Sequence, residues 1–460
     1  MCSLTESALD PEMRRREAVV GREVRCKKCG VEECSVSLRV RDTYCRECFL
    51  TAVHHKVRAT LGKHKATRPG ERVVVAASGG MSSTALLHIL QQGFSTDTKR
   101  LLFLPSVLYL EEGAVDGEEE EVRRARVAEV VAVLRVFGFP VHVALLESCN
   151  QSAVSPVAEG KELVIDETAA AALAATFAGL REISARQELL LQLRRAVLVR
   201  AAAELGSAKV FTGEHGTGLA VSLLAGVAGG AGGSLAHRTG FRDTRGPVEV
   251  DRPMRDVSGK EVAVYAHLHR LATVERRSWA TAAEPLASLH RLTEEFLVGL
   301  QQDFPATIPT IFKTGDKLVA PQDEGEGCVL CGGNLDTDTS THCALQATNF
   351  SRVVSERGRE GMGEGVASVL EERVVEEGGG GCAERVEGGE CCGEGDGSCK
   401  SGQGRVVVRM EEVVEQLCYS CRRTLAKVRA VEELPVALVR EVAVRRRREG
   451  MRNEISNFLL

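Results

Sequence analysis

Short apolar runs alternate with amphipathic stretches from Arg72 onward. The runs VVVAA at 73–77, LLFLPSVLYL at 101–110 and VHVALLE at 141–147 predict strands, because each is short and bounded by turn residues. Stretches between and after them, such as EVRRARVAEVVAVLRVFG and ARQELLLQLRRAVLVRAAAELG, have the spacing of helices. Strands that alternate with helices predict a parallel sheet with crossover helices. We therefore expect an α/β core built on a Rossmann-like parallel sheet.

Changes in composition divide the chain into segments. At 460 residues, the chain is long enough for one large domain with smaller modules attached. Residues 351–405 are dominated by Gly and Glu, and such a composition cannot bury enough apolar surface to fold. We predict a disordered arm at 1–25, a cysteine module with a basic helix at 26–70, the α/β core at 71–320, a second cysteine module made of 321–350 and 406–460, and a disordered insertion at 351–405.

The composition says more about the cellular compartment of the protein than about its function. The formal charge of −5 argues neither for nor against nucleic acid. The first 25 residues show no secretory signal pattern, and the uncharged stretch 216–236 predicts a buried helix with a glycine-rich loop rather than a membrane span. We expect a cytoplasmic protein with no membrane partner. In that compartment its sixteen cysteines are more often metal ligands or reactive thiols than disulfides.

Two sets of CxxC pairs have the spacing of metal sites. In the first set fifteen residues separate the pairs, which is typical of zinc held by four thiolates, and Cys34 is surplus. The second set has a long gap that contains the insertion, and loop-closure cost rises only slowly with length. Unpaired structural thiols are the alternative there. The predicted zinc ligands are Cys26, Cys29, Cys45 and Cys48 in the first set, and Cys328, Cys331, Cys418 and Cys421 in the second.

A glycine turn follows the first core strand and precedes the helical pattern TALLHIL. Glycines at this place let backbone amides face a ligand, and the helix adds its positive end, so the turn suits a pyrophosphate. A tight turn with serine N-caps is the other interpretation. The candidate binding residues in the turn are Ser78, Gly79, Gly80, Ser82 and Ser83.

A cationic stretch follows the first cysteine module. Phosphate contacts are the main source of sequence-independent RNA affinity, so this stretch is a candidate RNA-binding segment. A solvated helix face is the alternative. The predicted RNA-binding residues are Lys56, Arg58, Lys63, Lys65 and Arg68.

The glycine turn resembles the SGGxDS loop of pyrophosphatase-loop enzymes, which thiolate or adenylate RNA with ATP. Here Ser82 stands where that motif carries aspartate. The turn at 211–218, which contains Gly213, resembles the later nucleotide-site turn of these enzymes but lacks its adjacent acidic pair. Magnesium is usually held by one or two carboxylates plus phosphates. We therefore expect a vestigial nucleotide loop and do not expect ATP-dependent adenylation by this chain.

The order of the motifs CKKCG, CRECF, SGGMSS and LCYSCR, with the ending NFLL, closely resembles the cytoplasmic tRNA 2-thiolation protein 2 family. The resemblance implies an adenine-nucleotide α-hydrolase-like core. It also implies a heterodimer with a catalytic paralogue, which transfers sulfur from a thiocarboxylated ubiquitin-like carrier to the wobble uridine of tRNAs for Lys, Glu and Gln. Thiouridine synthases of this group use paired core cysteines, whereas residues 70–320 hold only Cys149.

These features predict a non-catalytic, tRNA-binding subunit of a sulfurtransferase complex, with no catalytic residue of its own and zinc as its cofactor. Two alternatives stay open. One is an active ATP-dependent tRNA thiouridylase, and the other is a zinc-binding scaffold without RNA chemistry.

Overall fold

A seven-stranded sheet forms the centre of the computed structural model. Its order is β6-β5-β4-β3-β7-β9-β8, with the five inner strands parallel and the two edge strands antiparallel to their neighbours. The expected Rossmann-like parallel sheet is thereby confirmed. Numbered along the chain, the described strands are β1 (Val36–Arg39), β2 (Asp42–Tyr44), β3 (Arg72–Ala76), β4 (Leu104–Glu111), β5 (Val141–Leu145), β6 (Val157–Ala158), β7 (Lys209–Thr212), β8 (Arg242–Asp243) and β9 (Glu249–Asp251).

The description covers residues 25–30, 34–39, 42–95, 101–151, 153–275, 287–319, 326–335, 408–428 and 430–458. All of these belong to a compact unit made of 1–335 and 408–460, whereas 336–407 make up a second unit that lies outside the described residues. The predicted arm, apart from Arg25, and the whole predicted insertion at 351–405 also lie outside them.

Helices follow the strands in the order that the apolar spacing predicts. Among the described helices, none has both the length and the apolar composition that crossing a bilayer requires. The helices are α1 (Arg46–Lys63), α2 (Met81–Ser95), α3 (Glu120–Arg135), α4 (Glu167–Gly179), α5 (Ile183–Glu204), α6 (Gly216–Ala228), α7 (Leu235–Thr239), α8 (Gly259–His269), α9 (Leu289–Asp303), α10 (Thr307–Gly315), α11 (Met410–Glu415), α12 (Tyr419–Leu425) and α13 (Val436–Phe458).

The central strand β3 is buried on both faces. Val73, Val74 and Val75 are fully buried, which explains why this strand is a continuous apolar run rather than an alternating one. Because the inner strands are parallel, the carboxyl ends of β3, β4, β7 and β9 all meet at one edge of the sheet. In open α/β sheets ligands bind outside this edge.

Helix α1 shares the hydrophobic core of the sheet. Its buried residues Phe49, Val53 and Val57 belong to the same cluster as Val73 and Val75. The N-terminal cysteine pairs are therefore attached to the sheet through a packed helix.

A buried polar cluster also joins α1 to the core. The Tyr265 hydroxyl of α8 lies 3.0 Å from Nε2 of His54 in α1 and 2.8 Å from Nδ1 of His88 in α2. Burial lowers the pKa of both histidines to about 4 and raises the pKa of Tyr265 well above its ordinary range. These side chains are therefore neutral at physiological pH, and they satisfy one another across three helices.

The C-terminal residues meet the segment before the insertion. The Val329 backbone N–H donates to the Gln416 carbonyl at 3.0 Å, so the segments before and after the predicted insertion are in contact. The Nη1 of Arg423 donates to the Ala228 carbonyl at 3.3 Å, which joins the C-terminal segment to the end of α6.

Candidate nucleotide cleft and cysteine centres

Residues 78–83, called the loop here, lie at the carboxyl edge of the sheet and comprise the turn after β3 and the first residues of α2. Gly79 has a φ of +78°, and a Cβ there would lie 3.1 Å from the Val130 side chain of α3. Both the backbone conformation and the close packing therefore require glycine at this position. The Gly79 carbonyl accepts a hydrogen bond of 2.9 Å from the Val274 N–H, which holds the loop from the other side.

The hydroxyls of the loop turn toward its own backbone and toward the helix start. Ser83 Oγ donates to the Gly80 carbonyl at 2.9 Å and lies 3.5 Å from Ser78 Oγ, and Ser78 Oγ accepts from the Gly80 N–H at 3.4 Å. The first N–H groups of α2 have no partners within the helix. The helix N-terminus at the loop favours an anion, whereas the Ser78 and Ser83 hydroxyls are engaged with each other and with the loop backbone.

Gly213 lies directly against this loop. It follows β7, and a Cβ at this position would lie 3.1 Å from the backbone of Ser82 and Ser83. A Cβ at this position would have to push the two turns apart by a few tenths of an ångström. The structure thus brings together the two turns that the sequence identified as nucleotide-site candidates.

A cavity of about 580 Å³ opens beside the loop. Its lining includes Ser78, Ser82, Ser83 and Gly213, together with apolar side chains such as Leu108. A volume of this size is typical of small-molecule sites.

Arginines line much of the cavity, a feature that the sequence pattern did not predict. They come from α3, α5, α7 and the segments around β8 and β9, so they are far apart along the chain. No sequence motif connects them, and only the fold places them together. The six are Arg126, Arg194, Arg195, Arg238, Arg245 and Arg252.

Two of these arginines share one carboxylate. Arg195 Nε and Arg245 Nη2 each donate to Asp243 Oδ2 at 2.7 Å, and Asp243 is fully buried. Burial alone would raise the pKa of Asp243, but the hydrogen bonds and charges of Arg245 and Arg195 hold it well below its usual range. Asp243 is therefore ionised throughout the physiological pH range.

The other carboxylates that line the cavity are also engaged. Glu112 accepts from Arg194 Nη2 at 2.7 Å, and Glu214 accepts from Arg252 Nε at 2.7 Å. With Asp243 held by two guanidiniums, each lining carboxylate has an arginine partner. Each of the three is therefore held in an ion pair within the chain.

The four sulfurs of the first cysteine set lie within 4.8 Å of one another. Cys29 and Cys45 Sγ are 3.9 Å apart, and Cys26 and Cys45 are buried. The hairpin β1–β2 brings the pairs together, and Cys45 is the residue before α1. Cys34 lies outside the set, since its Sγ donates to the Val36 carbonyl at 3.1 Å.

The second cysteine set repeats this local geometry. The sulfurs of Cys328, Cys331, Cys418 and Cys421 also lie within 4.8 Å of one another, and all four residues are buried. In each set the glycine after the first pair has a positive φ and donates to the carbonyl of the first cysteine at 2.8 Å. In each set the third cysteine immediately precedes a helix. Both sets could hold a metal ion that favours thiolate ligands.

Arg245 connects the second cysteine set to the cavity. Its Nη1 donates to the Cys331 carbonyl at 3.1 Å, while its Nε and Nη2 donate to Asp243. The cysteine centre therefore supports one wall of the cavity through a single buried side chain.

Cys149 is separate from both sets. It is 2% exposed and lies after β5, where burial raises its pKa to about 12. At physiological pH the thiol is therefore protonated and enclosed, as expected of a structural cysteine.

The predicted RNA-binding residues lie apart from the cleft. Lys56 donates to Glu261 Oε1 at 2.7 Å, so its charge is compensated within the chain. Lys63, Lys65 and Arg68 are exposed or half-buried, as is Arg58. Arg68 precedes β3 and the loop follows it, so these two features lie beyond opposite ends of the strand.

Comparisons with known proteins identify the relatives of this chain. A family model described as cytoplasmic tRNA 2-thiolation protein 2 matches residues 288–423. The chain is 32% identical to the protein of that name from Danio rerio, over 100% of this chain and 99% of the relative. It is 33% identical to the one from Mus musculus, again over 100% and 99%.

Among solved structures, the U34-tRNA thiolase NcsA from Methanococcus maripaludis with its 4Fe–4S cluster is similar. It is 16% identical, with a TM-score of 0.49, over 71% of this chain and 96% of that one. The full-length identity to the curated relatives establishes the assignment: this chain belongs to the cytoplasmic tRNA 2-thiolation protein 2 family.

Proposed function

We propose that this chain is the non-catalytic, tRNA-docking subunit of a cytoplasmic 2-thiolation complex. In this proposal a catalytic paralogue transfers sulfur from a thiocarboxylated ubiquitin-like carrier to the wobble uridine of tRNAs for Lys, Glu and Gln. Family membership supports the process. The assignment of catalysis to the paralogue rests on the loop and the cleft of this chain.

The observation that carries the proposal is a nucleotide loop without a free carboxylate. The loop keeps Gly79 at a positive φ and Gly213 in close contact, but Ser82 replaces the aspartate. The three carboxylates that line the cleft are each held by an arginine. A magnesium ion at the cleft would compete with these arginines for the carboxylates, so the chain is poorly suited to adenylation.

Sulfur transfer also lacks a reactive thiol in the described part of the chain. Cys149 is buried and protonated, and Cys34 donates to backbone carbonyls. The other described cysteines belong to the two sets of four. Because the thiolate is the nucleophile, we assign the sulfur-carrying step to the partner subunit.

We further propose that zinc fills both cysteine sets. Four thiolates with no open position are typical of structural zinc, which stabilises small modules that could not otherwise fold. The modules would be residues 26–70, and 321–350 with 406–460, attached to a core at 71–320. Docking of tRNA would use Lys63, Lys65 and Arg68.

The first test is mass spectrometry of wobble 2-thiouridine in tRNA from cells that lack this chain. We expect thiolation to be lost, and to be restored equally by the wild type and by a variant with Ser82→Ala and Ser83→Ala. Restoration by the wild type alone would identify a working catalytic loop. Unchanged thiolation in the deletion would refute the assignment to this process.

The docking surface is tested by charge reversal in the purified chain. Changing three basic-segment residues to Glu should weaken tRNA binding and lower the slope of log affinity against log salt by about 1 for each phosphate that is no longer neutralised. Three lysines elsewhere make a matched control with the same charge change. Equal effects in both variants would show that only net charge matters. The test residues are Lys63, Lys65 and Arg68, and the controls are Lys161, Lys313 and Lys317.

A further inference from the structure

The two cysteine sets have the same inner geometry. Cys29 and Cys45 Sγ lie 3.9 Å apart, and Cys331 and Cys418 Sγ lie 3.7 Å apart. Four sulfurs at about 2.3 Å from one zinc ion lie about 3.8 Å from one another, so both spacings fit a single ion. Any difference between the two centres must therefore come from the residues around the ligands.

Two arginines donate hydrogen bonds to the ligand turns of the second set. Nη1 of Arg245, which follows β8 in the core, donates to the Cys331 carbonyl at 3.1 Å. Nε of Arg422, in α12, donates at 2.9 Å to the carbonyl of Leu417, the residue before Cys418. Each hydrogen bond fixes the backbone of a turn that carries a predicted ligand.

A third arginine makes the same kind of contact from the C-terminal helix. Nη1 of Arg445, in α13, donates at 2.5 Å to the carbonyl of Gly327, the residue before Cys328. The charge of this arginine is offset by Glu441 at 3.2 Å and Glu326 at 4.0 Å, so its contribution is the hydrogen bond. Both CxxC pairs of the second set are therefore held by guanidinium groups, and an outer shell of this kind keeps the ligands of an ion oriented.

The arginine from the core also brings positive charge to a buried centre. Four thiolates and one divalent ion leave a net negative charge, which is costly to bury without a cation nearby. Arg245 and Arg195 share the single carboxylate of Asp243, so these three side chains together carry a net positive charge. The second centre therefore has a compensating charge at the turn of Cys331.

The second centre is also packed against the core. Tyr419, which lies between two ligands, is so close to Gly230 that a Cβ on this glycine would lie 2.5 Å from the ring. On the other CxxC pair, a Cβ on Gly333 would lie 3.2 Å from the Ser234 side chain. Opening either ligand turn would therefore break packing contacts with the core.

The first set is more open to solution. Cys29 is exposed and Cys48 is half-buried, whereas all four cysteines of the second set are buried. The carbonyl of Arg25, the residue before Cys26, accepts from the Thr43 hydroxyl at 3.1 Å, and this donor is neutral. A chelator in solution can therefore reach a ligand of the first centre directly.

We propose that the two centres differ in metal retention: the C-terminal centre keeps its ion because Arg245, Arg422 and Arg445 hold its ligand turns, whereas the N-terminal centre exchanges its ion with solution. The inference rests on the proposed zinc occupancy and adds a difference in role to it. The first centre would follow the zinc concentration around the protein, and the second would stabilise the fold. The three arginines are positioning residues, because they act through the backbone of the ligands and do not ligate the ion.

Chelator-driven zinc release from the purified full-length chain provides the test. Elemental analysis first establishes the zinc content, and bound zinc is then measured over time in excess EDTA. We expect a fast phase and a slow phase of similar amplitude, and Cys29→Ala should lack only the fast phase. In the Cys29→Ala background, Arg245→Gln or Arg422→Gln should speed the remaining release about tenfold or more.

Arg200→Gln is the matched control. Arg200 of α5 also donates to backbone carbonyls, to Gln151 at 2.8 Å and to Cys149, a cysteine outside both sets, at 3.4 Å. This variant should release zinc at the rate of the wild type. Cobalt-loaded Arg245→Gln should keep the sulfur-to-cobalt charge-transfer absorption of four thiolates, which distinguishes faster exchange from the loss of a ligand.

The outcomes separate this inference from the proposed zinc occupancy. Equal release rates for the two centres, or wild-type release from both arginine variants, would overturn the inference and leave the zinc occupancy intact. An equal acceleration in Arg200→Gln would also overturn it, because the effect would then be a general loss of stability. A wild-type chain without zinc would overturn both. Arg422→Gln keeps the test decisive if Arg245→Gln does not fold, since Arg422 is only half-buried.

Discussion

A buried ion triad lies at the carboxyl edge of the sheet, and removing its cation should affect stability very differently from removing one of its carboxylate charges. Arg123 of α3 is 2% exposed and contacts Glu111, the last residue of β4, and Glu147, which follows β5. Its Nε lies 2.9 Å from Glu111 Oε2, and its Nη2 lies 2.5 Å from Glu147 Oε1. The Gly113 N–H donates to Glu111 Oε1 at 2.6 Å, whereas Glu147 Oε2 is buried and has no hydrogen-bond partner among the described residues.

Removing the cation should be costly. Arg123→Met leaves two buried carboxylates without a counterion, and breaking a buried ion pair in this way costs about 3–5 kcal/mol. Proton uptake by one carboxylate keeps the cost from rising further. With a urea dependence of about 3 kcal/mol per molar, a loss of about 4 kcal/mol lowers the unfolding midpoint by about 1.3 M.

Removing the charge of the second carboxylate should not be costly. Burial raises the pKa of Glu147, because the charged form loses its hydration. Glu147→Gln keeps an acceptor for Arg123 and leaves one carboxylate for one guanidinium. We expect its free energy of unfolding to stay within about 1 kcal/mol of the wild type or to exceed it.

The pH dependence has a defined sign. Because the folded pKa of Glu147 lies above its unfolded value, the unfolded chain releases the proton first as pH rises, and the wild type loses stability from about pH 4.5 upward. The advantage of Glu147→Gln should therefore be larger at about pH 7 than at about pH 4. Urea unfolding of both variants at the two pH values measures this. An Arg123→Met cost below about 1 kcal/mol, or equal costs for both variants, would refute the reasoning.

Three further predictions concern glycine packing, histidine burial and the metal centres. Gly213→Ala should lower the free energy of unfolding by about 1–3 kcal/mol, because its Cβ would lie 3.1 Å from the loop backbone. Gly299→Ala in α9 is the control, since the space around it is open, and it should raise the free energy of unfolding by about 0.5–1 kcal/mol. Thermal unfolding measures both. Burial lowers the pKa of His88 to about 4. As the pH falls from about 6.5 to about 4, the histidine takes up a proton in the unfolded chain first, so the free energy of unfolding should fall. His88→Gln should flatten this part of the plot of stability against pH. Elemental analysis should find about two zinc ions per chain, about one in Cys29→Ala and about two in Cys34→Ala, since only Cys29 belongs to a set of four.

Local sequence signals predicted the sheet and the two cysteine sets well. Val73–Val75 form a short apolar run before a glycine turn, and both features are visible without knowledge of distant residues. A CxxC pair is equally local, because the turn that aims two thiolates at one point is set by the pair itself and the following glycine. The second set tolerates a gap of 86 residues between Cys331 and Cys418 since each half forms its own turn.

Long-range pairing explains what the sequence pattern did not predict. Lys56 belongs to a basic run, but its partner Glu261 is 205 residues away, so the neutralised charge is invisible in the local pattern. The arginines of the cleft are similarly dispersed, and each alone is indistinguishable from an ordinary surface cation. Arg245 is an example, because only the fold places it between Asp243 and the Cys331 carbonyl.

The cleft and the C-terminal cysteine centre are parts of one arrangement. If Arg245 moved away from Asp243, this buried carboxylate would keep Arg195 but lose the hydrogen bonds from Arg245. If it moved away from Cys331, the Cys331 carbonyl beside the cysteine turn would lose its hydrogen bond, and both losses cost free energy. A filled cysteine site would thus fix Arg245, and a fixed Arg245 keeps Asp243 neutralised together with Arg195.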